Sequence, residues 1–222
     1  EPVDGSNPAT DWRGLLPVDS IPHVVNPASG WIYNSNDSPW QAAGASSRKK
    51  TDFPVYVDSG TESARGHHAV RVLENRKDFT LDGLLAAAYD SYLTWFEKPM
   101  PALIKAWDAA AAADPLKAKT ADQIAMLRKW DLRFAADSVA TSLAIYWGGE
   151  VQRAGGRGRG GAIEDTPGAQ MLQTLVAASD RLAADFGTWR TPWGGINRFQ
   201  RLNDDIVATF DDAKPSIPVM FP

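Results

Sequence analysis

At "KDFTLDGLLAAAY" the chain changes character, and that change constrains the fold more than any other feature. Residues 1 to about 77 are dense in Pro, Gly, Asn, Ser and Asp, with short apolar runs such as "HVVNP", "GWIYN" and "FPVYVDS". Turn-forming residues interrupt these runs too often for helices, so they read as short strands joined by long loops. From residue 78 onward Ala, Leu and charged residues dominate. Leu81, Leu84, Leu85, Ala88, Tyr92 and Trp95 recur near a 3.6-residue period, the mark of a helix with one apolar face.

Thr80 or Asp78 can cap the first helix, and Pro99 and Pro101 interrupt the run, which predicts two helices over about 80–97 and 101–113. The alanines of "WDAAAAAD" supply helix propensity and room for close packing. A third helical stretch opens at Thr120, with Gln123 completing a capping box, and Trp130 and Asp131 mark a kink or break within it. The loop "RAGGRGRGG" over 153–161 precedes a fourth helix of about 166–186, with Pro167 near its first turn and Gly187 as its C-cap. "TWRTPWGGINRFQRL" then returns to aromatic and turn chemistry. The expected organisation is a loop-rich, strand-containing segment over 1–77, a helical region over 78–187 and a return to strands over 188–222.

A formal charge of -4 provides no basic excess to hold phosphate backbones, so nucleic acid is not an expected partner. No apolar run is long enough to span a bilayer, so no membrane partner is expected either. The absence of cysteine removes disulfides, thiolate metal sites and a cysteine nucleophile from these residues. Nine tryptophans read mainly as core or groove anchors, since each ring buries about 150–250 Å².

The motifs that carry chemistry elsewhere are weak here. Gly156, Gly158 and Gly161 match GxGxxG formally, but they follow a helical stretch instead of a strand, so they read as a solvated loop and not a dinucleotide site. His67 and His68 are adjacent and diverge on any regular element, so no metal is expected there. Neither a GxSxG elbow nor a phosphate-binding GxxxxGK[ST] loop occurs, and no cofactor is called for. "NDS" at Asn36 is a glycosylation sequon in form, read as incidental. Asn34 and Asn36, in "GWIYNSNDSPW", draw more interest. On a strand, residues two apart share a face, so both amides would project to one side; the plainer alternative is that they cap turns.

"PVDGSNPATDWRGLLPVDSIPHVVNPASGWIYNSNDSPW", "DLRFAADSVATSLAIYWGG" and "FGTWRTPWGGINRFQRL" together resemble the β-subunit of the penicillin acylase family, closest to the branch of acyl-homoserine-lactone and aculeacin acylases. The resemblance runs from residue 2 to the end, with its motifs in consistent order. It implies an N-terminal nucleophile hydrolase: a precursor cuts itself to expose a Ser whose own α-amine takes the proton as the hydroxyl attacks an amide carbonyl. The implied fold is α+β, a predominantly helical insertion flanked by strands and loops of an αββα core. Asn36 stands where the family places its oxyanion asparagine, with Asn34 supporting the local turn or strand. Arg65 stands where an arginine orients the groups around the nucleophile, and Arg71 is the second, more structural member of that pair. Gly195 stands where an acidic residue is more usual, beside the acyl pocket.

Residue 1 is Glu, whose carboxylate cannot serve as the nucleophile of this mechanism. The chain is therefore expected to be an internal piece of the β-subunit, inactive alone and completed by the rest of that subunit and by the α-subunit of the same precursor. The implied substrate is a small N-acyl amide: a β-lactam antibiotic side chain, an acyl-homoserine lactone or a lipopeptide. The implied location is periplasmic or secreted. Two other readings stay open. One is a helical module binding an acyl ligand in an aromatic groove lined by residues such as Trp31, Trp40 and Trp193; the other is a structural domain used for assembly.

Overall fold

In a computed structural model, which describes residues 3–155, 162–200 and 210–222, the chain forms two units that divide after Ala88. The glycines of the GxGxxG match lie outside the described residues.

The first unit contains no strand among its described residues, so the short strands expected over 1–77 are not formed. Pro22, Pro27, Pro39 and Pro54 fall within or beside the extended runs, and each removes a backbone donor that a ladder would need. Single 3-10 turns take their place, at Pro8–Thr10, Val18–Ser20, Pro39–Gln41, Gly44–Ser46 and Lys50–Asp52. Helix α1, Ala64–Leu73, starts where the Ser63 side chain accepts from the Gly66 N–H. It stops before Asn75, whose left-handed φ of 62° cannot continue it. Helix α2, Leu81–Ala88, is capped by Thr80, whose Oγ1 accepts from the Gly83 N–H at 3.0 Å.

The helix predicted to reach residue 97 ends at Ala88 because the next backbone groups are committed elsewhere. Leu93 N–H donates to the Leu132 carbonyl at 2.8 Å, and Phe134 N–H donates to the Ser91 carbonyl at 3.0 Å. Tyr92 and Arg133 form an antiparallel bridge, and the Arg133 guanidinium meets the Asp90 carboxylate at 2.8 Å. These contacts join the start of the second unit to the break within the third helical stretch. That break falls where Trp130 and Asp131 predicted it: Leu132 has φ 61°, and the Trp130 indole donates to the Arg133 carbonyl.

The second unit is built on α3 (Pro99–Ala109), α4 (Pro115–Lys119), α5 (Ala121–Leu127), α6 (Val139–Ala154) and α7 (Gly168–Phe186). Helix α3 is shorter than expected: Lys117 Nζ takes the carbonyls of Asp108 and Ala110, and Asp114 leaves the helix to cap α4 ahead of Pro115. The capping box foreseen at Thr120 and Gln123 is not formed. Thr120 is fully buried and its hydroxyl donates back to the Leu116 carbonyl, while the Gln123 carboxamide donates to Ser179 Oγ on α7 at 3.1 Å. Here packing between helices outweighs local capping.

Helix α7 places Met171, Leu172, Leu175, Ala178 and Leu182 on one buried stripe. The stripe packs against Leu143, Ala144, Trp147 and Val151 of α6, with Phe96, Leu103, Ile124 and Leu127 closing the core. The Trp147 indole donates to the Met171 carbonyl, so this wholly buried ring leaves no polar atom unpaired. Gly148 lets the Trp95 ring lie 2.9 Å from where a Cβ would stand. Gly187 ends α7 at φ 81°, as the sequence predicted. After a short helix α8, Trp193–Ile196, strand β1 (Arg198–Phe199) pairs antiparallel with β2 (Ile217–Pro218). The described fold is thus a helical α+β arrangement with a two-stranded ladder.

Candidate functional site

The segment holding the two asparagines is a tight loop closed by its own backbone: the Tyr33 N–H donates to the Ala42 carbonyl at 2.9 Å. Inside it the Asn34 side chain does not project beside that of Asn36, as a strand would require. It folds back, and its Oδ1 accepts from the Asn36 N–H at 2.8 Å. Asn36 itself has φ 56°, a left-handed conformation that Asn tolerates better than most residues. Its side chain is exposed, and its carboxamide makes no hydrogen bond among the described residues.

Both neighbours of Asn36 are tied to the first turn of α1. On one side, Arg65 Nη2 donates to the Ser35 carbonyl at 2.6 Å. On the other, Asp37 Oδ2 accepts from both the Ser63 N–H and the Ser63 hydroxyl, each at 2.9 Å. Ser63 Oγ in turn accepts from the Gly66 N–H, so one serine links the Asp37 carboxylate to the helix start. Gly66 is buried, and the missing Cβ makes this approach possible. A Cβ there would fall far inside the contact distance of Asp37 Oδ2 and 2.7 Å from the Tyr33 hydroxyl.

A further ring of contacts holds the loop from below. The buried Ser38 donates to Asp58 Oδ1 at 3.2 Å, Asp58 accepts from the Gly60 N–H at 2.6 Å, and Lys50 Nζ takes the carbonyls of Ser59 and Gly60. The Tyr33 hydroxyl is buried without a hydrogen-bond partner among the described residues. Burial first, then the carboxylates of Asp37 and Glu62, push its pKa up to about 12.

The three tryptophans expected to line a groove fall in different surroundings. Trp31 lies over Gly44, where a Cβ would come within 2.8 Å of the ring. Trp40 packs 5.9 Å from Phe53, and its buried indole nitrogen has no hydrogen-bond partner among the described residues. Trp193 belongs to the second unit, is 94% covered, and donates to the Met220 carbonyl at 2.9 Å. Around it, Gly194 N–H reaches the Ala136 carbonyl, and the Asn197 carboxamide spans the carbonyls of Val219 and Phe221. Gly195 leaves an open position, its nearest neighbour being a Thr191 methyl. A cavity of about 150 Å³ in the first unit is lined by Pro22, His23, Ile32, Pro39, Ala43 and Arg48. Sequence reasoning missed Asp37, Ser63 and Gly66. A serine three residues before a glycine at the start of an amphipathic run was the available signal for the cap.

The sequence model of the family described as penicillin amidase matches residues 1–214. The penicillin G acylase of Escherichia coli is 37% identical over 81 residues, covering 36% of this chain and 9% of that protein. The matched stretch is thus a small part of that relative's length.

Proposed function

The chain belongs to the penicillin amidase family, and we propose from that premise that it is part of an amidohydrolase in which Asn36 donates to the oxyanion. The substrate is a linear N-acyl amide of the penicillin, acyl-homoserine-lactone or lipopeptide type. The nucleophile is an N-terminal Ser outside this chain, carried by the rest of the β-subunit with the α-subunit of the same precursor. Residues at the two ends of this chain add to an αββα core, and the enzyme works in the periplasm or outside the cell.

The observation that carries this reading is the restraint on Asn36. A carboxamide stabilises a developing oxyanion only if it already stands in place, because reorienting a donor during reaction costs the energy the donor would supply. Asn36 carries an uncommitted carboxamide on a left-handed turn whose preceding carbonyl, own N–H and following side chain are each hydrogen-bonded. The amide is then free to donate while its backbone is not free to drift. Arg65 assists by holding the peptide in front of it.

The test is hydrolysis of a chromogenic N-acyl amide by the full-length protein and its Asn36→Asp variant. Asp tolerates the left-handed turn but offers an acceptor where a donor is needed. The expected result is a loss of about 10²–10³ in kcat, the effect of removing one oxyanion donor. An Asn36→Asp enzyme with the parent's kcat would reject the reading.

A further inference from the structure

We infer that Asp37 is a positioning residue for Asn36, acting through the N-cap of α1; the inference rests on the oxyanion reading above and adds the device that holds the donor. Three observations support it. Asp37 Oδ2 accepts two hydrogen bonds from Ser63, one from its backbone and one from its side chain. Ser63 is also the N-cap of α1, so the carboxylate is fastened to a helix and not to another loop. Gly66, one turn into that helix, leaves vacant the space the carboxylate occupies.

The placement along the chain matters as much as the bonds. Arg65 grips the carbonyl of residue 35 and Ser63 grips the side chain of residue 37, so the helix start holds the chain immediately before and immediately after Asn36. A peptide pinned at one end can still rotate about the pin. Pinned at both, it retains little freedom in φ and ψ, and the left-handed φ of 56° at Asn36 is kept without reliance on the residue's own preference. The Arg65 anchor alone would leave the direction of the Asn36 Cα–Cβ bond open. Asp37 closes that freedom, and a carboxylate accepting two donors on one oxygen is a stronger anchor than a neutral group.

The experiment uses the full-length protein with Asp37→Ala, Asp37→Asn and Ser63→Ala, each alone, and Asp37→Ala also combined with Asn36→Gly. Thermal melts of each variant check that it folds. Asp37→Ala removes both hydrogen bonds from Ser63 and is expected to lower kcat about tenfold, with KM little changed. Asp37→Asn keeps an acceptor oxygen for Ser63 and recovers most of the lost rate, while Ser63→Ala shows a smaller loss in the same direction. In the Asn36→Gly background Asp37→Ala causes no further loss of kcat, because there is no amide left to position. Losses that multiply in the double variant, or an Asp37→Ala enzyme with the parent's kcat, would overturn the inference.

Amide hydrogen exchange over residues 35–37 separates this from a failure of the oxyanion reading. If Asn36→Gly alone keeps the parent's kcat, the oxyanion role falls. The anchor then stands only if Asp37→Ala raises exchange there, and unchanged exchange overturns it.

Discussion

The Arg65 guanidinium donates to the Ser35 carbonyl at 2.6 Å, across thirty positions of sequence, and so fixes the peptide that leads into Asn36. The side chain is exposed and reaches a backbone oxygen, so its substitution removes a positional restraint without opening a core. If Arg65 acts through Asn36 and not on the substrate, as proposed above, Arg65→Ala reduces kcat by about tenfold or less, a smaller effect than loss of the Asn36 amide. Steady-state kinetics of the two variants side by side check the order. An Arg65→Ala loss exceeding that of Asn36→Asp would give Arg65 a more direct role than positioning.

Gly66→Ala should damage the same arrangement from the helix side. The new methyl would enter the space of the Asp37 carboxylate and stand 2.7 Å from the Tyr33 hydroxyl, so the loop or the helix start must shift. A cost of about 1–3 kcal/mol in stability is expected, as for other overpacked sites, together with reduced kcat. Urea unfolding with activity measured on the same samples checks both effects.

Tyr33 links the loop to alkaline pH. With its pKa pushed up to about 12 by burial and by Asp37 and Glu62, the folded chain keeps the phenol neutral while the unfolded chain ionises near the ordinary value of about 10. The stability this provides is fully present below about pH 10 and is lost as pH rises through about 12. Tyr33→Phe should abolish that dependence at little cost, since the hydroxyl it removes has no hydrogen-bond partner among the described residues. Phenolate absorbance during an alkaline titration checks this; titration of Tyr33 near pH 10 in the folded protein would contradict it.

The helical unit should respond to core truncation independently of the loop. Leu175 is fully buried on the α7 stripe, and Leu175→Ala is expected to cost about 2–5 kcal/mol through lost transfer energy and the cavity left behind. Thermal unfolding followed by circular dichroism measures it.

What could be read from sequence tracks how local the determining physics is. Helix α7 and its stop at Gly187 were legible because periodicity, Pro167 and a left-handed glycine all lie within one segment. The break at Trp130 was legible for a similar reason. The early end of α2 was not, because it depends on bonds from residues 91–93 to 132–134, a pairing no local pattern encodes. Thr120 and Gln123 misled for the same cause: a capping box is a local expectation, and Ser179 on α7 supplied a better partner for Gln123. In the loop, sequence singled out Asn36 and Arg65 through the family pattern but misjudged how the loop is built. A strand was expected where prolines allow only a bend, and the carboxylate that fastens the bend, Asp37, lies twenty-six positions from its serine partner.

The central claim is that the Asn36 carboxamide meets negative charge on a former carbonyl oxygen, and binding of a tetrahedral analogue tests it without relying on turnover. In the full-length protein and its Asn36→Gly variant, the affinity for a boronate or phosphonate that mimics the tetrahedral intermediate is compared with that for the planar acyl amide. Glycine keeps the left-handed turn and removes only the amide. The account predicts that affinity for the tetrahedral mimic falls by the same factor as kcat/KM while affinity for the planar amide is preserved. Equal affinities of both proteins for the tetrahedral mimic would contradict it.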